Sequence, residues 1–416
     1  MSKENAIERF LNDDWEVRRE LAQNPSTPSE ALVKLVFDDD WRVRITAMKN
    51  PSIPSAILED LSHSEDKTVR RAVALNPSTP SHVLKQMSED EEEWVQLAVA
   101  SNSHTPPEVL TKLIDTDNFN IKIAVAQNPN TPVNTLKALT NEQYIDNVLM
   151  AFTKNPNLPI DILINELDEE DIVSMPHAPA SILTEIADKE SDSIYIKKMI
   201  ASNPNTPTLI LKTISKDKYE GIRANVACNP NTTEDVLVEL AKDRDWEVRR
   251  NVALNHNTPS VMLAILANDE NEKVKLSVLK NPNTPTETLI KFVNSENPVV
   301  RAWVGVNPNA NSEILSKLSN DENDEVRAFA AKNPNISADI LSKLANDKEP
   351  KVRQQVAQNP NVTYEIANQL SQDEDVYVRA ALASNPKIDK LNLPQPKKDI
   401  TPKIWKEKKW IKKMQK

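Results

Sequence analysis

Leucine, valine and alanine return at fixed places along most of this chain, and the polar residues between them return in step. With the Asn of each Asn-Pro, or its equivalent, as a phase mark, the pattern recurs at Asn24, Asn50, Asn76, Asn102, Asn128, Asn155, a degenerate Met175, Asn203, Asn229, Asn255, Asn281, Asn307, Asn333, Asn359 and Asn385. That makes 15 copies of about 26 residues. Self-similarity at such a period is the mark of a stacked array, in which each copy buries its apolar face only against its neighbours. The pattern therefore predicts one elongated body, almost entirely helical.

Within a copy, Leu stands eight residues after the mark in 13 cases (Leu32, Leu58, Leu84, Leu110, Leu136 and onward), followed three residues later by Leu35, Leu61, Met87, Leu113 and Leu139. This spacing is a buried helical stripe. Thr27, Pro28 and Glu30 fit the N-cap, first and third positions of that helix. After an acidic turn, Asp14, Asp40, Asp66, Asn118, Asp245, Asn271 and Asn297 are N-caps for a second helix, whose inward face carries Val or Ile seven residues before the mark in 14 copies. The Asn of the mark is expected to take the left-handed conformation at the helix end, with Pro preventing continuation.

The run Val69-Arg70-Arg71-Ala72-Val73-Ala74-Leu75-Asn76-Pro77-Ser78-Thr79-Pro80, with Leu84 after it, resembles the leucine-rich repeat variant family over roughly residues 12–386. The resemblance implies a right-handed α-solenoid without strands, here of about 15 helix pairs. Some members carry a cysteine-ligated iron-sulfur module, which the single cysteine of this chain, Cys228, does not allow. The spacing from Asp38 to Val43-Arg44, repeated at Asp217/Arg223, Asp243/Arg249, Asp269/Lys275, Asp321/Arg327, Asp347/Arg353 and Asp373/Arg379, is similar to the HEAT-type motif. There, acid and base pair between neighbouring repeats, so this basic ladder is expected to be structural.

The period slips between Leu167 and Pro179, where Asp168–Ser174 is too short for the usual second helix and a kink is expected. The organisation read from the sequence is residues 1–167 and 181–386 as two parts of the array, 168–180 as a truncated copy, and 387–416 as a linker and tail. Charge divides the same way: the tail carries a net +8 and the remainder −19.

Only two glycines occur, Gly221 and Gly305, which excludes glycine-rich phosphate loops. One cysteine removes disulfide frameworks and fits a reducing compartment, hence the cytoplasm. No apolar run approaches the length that spans a bilayer. Histidines occur singly, and the carboxylates recur as caps, so the sequence offers no catalytic, metal or cofactor site.

Positions that vary on a regular face are free for recognition. Nine, five and one residues before the mark lie on one helix face, giving Trp15 and Arg19, Trp41, Arg71, Phe119, and Trp246 and Arg250 as candidate partner contacts. The same tryptophans could equally cover the adjacent repeat. In the tail, Trp405, Lys409, Trp410 and Lys413 belong to a short basic amphipathic segment suited to nucleic acid, an anionic surface or an acidic protein groove. The function expected is a non-catalytic scaffold that binds a protein or peptide along one helical face. The alternative is a nucleic-acid binder using the tail and the first repeats, with Arg18, Arg19, Arg42, Arg44, Arg70 and Arg71.

Overall fold

The computed structural model describes residues 6–140, 151–159, 162, 167–190 and 192–387. Among these residues all regular structure is helical, and the helices come in pairs: an α-solenoid. The chain divides into two compact units, residues 1–113 with 362–416, and residues 114–361. Within each unit successive second helices pack side by side, and most first helices lean on the second helix of their own pair.

The pair Ser81–Met87 and Glu93–Ser101 shows why the sequence folds so. Val83, Leu84 and Met87 form the buried stripe of the first helix, and Val95, Ala98, Val99 and Ala100 that of the second. Full burial of each large aliphatic side chain contributes about 1.5–3 kcal/mol. The expected second-helix caps hold at Asp40, Asp66, Asn118, Asp245, Asn271 and Asn297, each accepting a backbone amide two residues on. Asp14 makes no such bond.

Two expectations about local chemistry are corrected. Thr27 does not cap the first helix, which begins at Ser29 behind Pro28. Its buried hydroxyl instead donates to the Leu21 carbonyl at the end of the preceding helix, 2.6 Å away, and Thr79, Thr105, Thr131, Thr206, Thr232, Thr258 and Thr284 repeat this. The marker asparagines are not left-handed either. Asn76 has φ −70° and ψ 127°, and no described residue has a positive φ.

What the asparagines do is join the copies. Asn50 is buried; its Nδ2 donates to the carbonyls of Ala22 and Asn24, at 2.7 and 2.9 Å, while its Oδ1 accepts from the Ser52 amide. Asn76 repeats this on Met48 and Asn50, Asn229 on Ala201 and Asn203, and Asn333 on Gly305 and Asn307. One side chain thus satisfies three backbone groups that burial would otherwise leave unpaired.

In the first unit this ladder does not stop at the chain ends. Asn24 donates to the carbonyls of Ala383 and Asn385, at 2.9 and 2.8 Å, as Asn50 does to the copy before it. Arg379 makes a two-pronged contact with Asp13, both bonds 2.7 Å, and reaches Asp14 at 2.9 Å. Arg9 adds bonds to Ser371 and Asn368. The Trp15–Gln23 helix packs flat on Val376–Ala383, with Phe10, Val17, Leu21, Val378 and Leu382 buried. Within this unit the first copy therefore occupies the place of a successor to the last.

The shortened copy keeps more structure than its length suggested. Glu169–Ser174 forms a six-residue helix, with Asp168 accepting from the Asp171 amide. Ile172, Val173 and Met175 join a core with Leu183, Ile186, Ile196 and Ile200. Asn203 donates to the carbonyls of Val173 and Met175, both at 2.8 Å, so the junction on that side is made although Met175 has no side-chain amide.

Candidate interaction surface

The acid-base ladder pairs across copies, as the motif implied. Arg70 meets Asp90 through Nε and Nη2, at 2.7 and 3.0 Å, and its Nη1 donates to the Ser64 and Glu65 carbonyls of its own turn. Arg18–Asp38, Arg223–Asp243, Arg249–Asp269, Arg301–Asp321 and Arg327–Asp347 repeat the geometry, and Lys197–Asp217 substitutes an ammonium. The acid also accepts the amide two residues on, as Asp90 does from Glu92. Burial of Asp90 disfavours its charge, but the hydrogen bonds from Arg70 and the Glu92 amide outweigh this and hold its carboxyl below the ordinary range. These guanidiniums are structural, which takes Arg18 and Arg70 away from any ligand.

The face outside the ladder differs between the two units. In the first, five second helices lie side by side: Val376–Ala383, Trp15–Gln23, Trp41–Met48, Lys67–Leu75 and Glu93–Ser101. They bring together Trp15, Arg19, Trp41 and Arg71 of the expected stripe. Two aromatics not singled out in the sequence, Tyr377 and Trp94, stand beside them one residue further along the same turn. Trp15 is half-buried, with the Arg42 guanidinium 3.5 Å above its ring and that of Arg19 at 5.4 Å. Arg42 is further held by Asp40, which this bond pulls down to about 2, and Arg19 pairs with Glu20. Trp15 thus covers its neighbour. Trp41, Tyr377 and Trp94 are open, at 64%, 63% and 59% exposure, and Arg71 lies 5.6 Å over the Trp94 ring.

In the second unit the expected contacts are half-buried. Trp246 packs against the core and carries Lys273 at 4.6 Å over its ring; Arg250 is half-buried on the same helix. Phe119, on Phe119–Gln127, is half-buried. Trp303 and Phe329, also outside the expected stripe, meet edge to face at 5.8 Å under Lys280. The tail residues Trp405, Lys409, Trp410 and Lys413 lie outside the described residues. Beside the short copy, the buried His177 Nε2 has no hydrogen-bond partner among the described residues. No described group of three His, Cys, Asp or Glu side chains is placed to hold a metal ion, and no described helix is long and apolar enough to cross a membrane.

The family model described as "Leucine rich repeat variant" matches residues 15–40 and 68–92. No curated protein matches the chain. Among solved structures, one titled as a leucine-rich repeat variant with a novel repetitive structural motif is similar at 19% identity, with 58% of this chain and 87% of that chain covered and a TM-score of 0.28. Kap121p bound to Pho4p is similar at 11% identity over 86% of this chain and 47% of that chain, TM-score 0.26, and Kap95p, in a title concerning RanGDP, at 12% over 87% and 56%, TM-score 0.23. The chain spans about half the length of these two. The two matched segments are thus repeats of the leucine-rich repeat variant family, and the same residues recur in phase beyond them, joined by a HEAT-like ladder of acid-base pairs.

Proposed function

We propose that the chain is a non-catalytic scaffold that takes a protein or peptide along the second-helix face of its first unit. The observation that carries this reading is the exposure of Tyr377, Trp41 and Trp94 on the first, third and fifth of these five helices, with Arg71 on the fourth. Large aromatics and arginine supply most of the energy at protein interfaces, and exposed rings gathered on one face mark such surfaces. Nucleic acid fits this face less well. Of the six N-terminal arginines, Arg18, Arg19, Arg42 and Arg70 are each paired with a carboxylate, which lowers the net positive charge that phosphate contacts require. The basic tail keeps a role as a second contact in this reading, and the cytoplasm remains the compartment it suits.

The test places a photocrosslinking residue at Trp41, at Trp94, or at Lys85 on a first helix, in the full chain within its native cells. Adducts from the first two positions and none from Lys85 are expected. With the adduct identified, Trp41→Ala with Arg71→Ala should weaken its binding about 30-fold or more at unchanged helicity. Equal adducts from Lys85, or binding untouched by both substitutions and abolished by removal of residues 387–416, would overturn the reading.

A further inference from the structure

One rung of the ladder retains its arginine and lacks its acid. Counting 20 residues on from each base, as the intact rungs do, Arg44 should meet a carboxylate at position 64, where the chain has Ser64. Hydroxyl residues stand at two other acid positions, Thr116 and Ser295, and there the corresponding base positions hold Gln96 and Lys275, the latter turned to Glu272 of its own helix. Arg44 alone keeps a guanidinium opposite a hydroxyl.

Arg44 is seated as the paired arginines are. Its Nη1 donates to the Asp38 and Asp39 carbonyls at 2.7 and 3.0 Å, matching the bonds of Arg70 to Ser64 and Glu65. By analogy with Arg70 this seat leaves the Nε and Nη2 edge for the next turn, where no described carboxylate is hydrogen-bonded to it, although its charge reaches Asp66 and helps to lower that carboxyl. Ser64 fills half of the missing acid's role: its Oγ accepts from the Asp66 amide at 3.2 Å, as Asp38 and Asp90 accept from Asp40 and Glu92. It cannot supply the two anionic oxygens. The turn is accessible, with His63 and Glu65 exposed and Ser64 half-exposed.

We propose that Ser64 is a phosphoacceptor, and that its phosphate completes the rung with Arg44. In the modifying step, catalysed by a separate kinase, the Ser64 Oγ forms a bond to the terminal phosphorus of a nucleoside triphosphate. The bond from that phosphorus to the bridging oxygen breaks, the nucleoside diphosphate leaves, and the hydroxyl proton passes to the kinase's base. The ester oxygen stays beside the Asp66 amide, and the terminal oxygens accept from Nε and Nη2 of Arg44, a charge-assisted, two-pronged contact of the kind phosphate and guanidinium geometry favours. Phosphorylation then stitches the second and third pairs together where the unmodified chain leaves them joined without a rung.

The experiment has two arms on the full chain. In the first, phosphoserine is encoded at position 64 and melting is followed by circular dichroism. A rise of about 2 °C or more is expected, reproduced by Ser64→Asp, the residue used at the intact rungs, and lost when Arg44→Met is added. No rise, a rise that survives Arg44→Met, or an equal Arg44-dependent rise of the unmodified chain in inorganic phosphate would overturn the proposal, the last by assigning the rung to a bound anion. In the second arm, the chain recovered from cells that make it naturally is mapped by mass spectrometry. A phosphate on Ser64 is expected; Ser64 found bare under every growth condition sampled would overturn it.

Discussion

The Trp15–Gln23 helix has two neighbours that reach it by different routes. The Trp41–Met48 helix comes next in sequence, with Asn50 bonded to carbonyls 26 and 28 residues back. The Val376–Ala383 helix lies at the far end of the chain, and the equivalent bonds from Asn24 span 361 and 359 residues. The two junctions nevertheless use the same parts: an asparagine on two carbonyls, a two-pronged arginine on an aspartate, and an apolar stack. Their geometry is therefore set by side chains rather than by the connecting turn. The difference is one of probability. The Trp41–Met48 junction is backed by a short covalent connection and the Val376–Ala383 junction by none, so the latter should be the first to open.

The largest effect should come from removing residues 1–24. Val378, Leu382 and Ala383 then lose their cover and Arg379 its partner, so the last pair should lose helicity and the chain should self-associate, read by circular dichroism and light scattering. A truncated chain that stays monodisperse and fully helical would show that the closing junction contributes nothing.

Single substitutions compare the junctions directly. Asn50→Ala and Asn24→Ala each strand two buried carbonyls and one amide, at a cost of about 3 kcal/mol. Asn50→Ala should lower the melting of the first unit as a whole. Asn24→Ala should appear mainly as faster hydrogen exchange over 364–383. Equal exchange patterns from the two would erase the distinction.

Acid provides the smallest and most graded test, on ordinary junctions alone. The carboxyls of Asp90, Asp243, Asp269, Asp321 and Asp347 are held below their ordinary range, burial opposing and the arginine bond prevailing. Between the folded and unfolded values the unfolded chain binds more protons, so this stabilisation is present above about pH 4 and is lost as pH falls through the folded values. Urea midpoints should decline in that window, and Asp269→Asn should flatten the decline while lowering the midpoint at pH 7.

The helix pairs were legible because their cause is local: Leu84 and Val95 repeat at helical spacing, and Asp66 or Asn118 caps the helix that begins one residue later. The marker asparagines were misjudged because a residue at a helix end has a sufficient local explanation, whereas Asn76 bonds to Met48 and Asn50 in another copy. Closure was illegible for the same reason, since Asn24 carries no sign of which copy stands before it. The proposed surface was half legible. Trp41 and Arg71 were found by phase, but Trp94 and Tyr377, one residue off that phase, share the face only because a helix turn is wider than one position. Trp15 and Trp246 looked identical to Trp41 in sequence; the cation over each ring, from a neighbouring helix, separates them.

The asparagine joint recognises only peptide carbonyls, which every amino acid carries. It is therefore indifferent to the identity of the copy it binds. Met175 shows as much, since its carbonyl serves Asn203 although its side chain has lost the motif. A gene coding for such a chain can exchange, duplicate or delete whole modules by recombination between like segments, and each new boundary arrives already bonded. Novelty at exposed positions can then accumulate without renegotiating the joints beneath them.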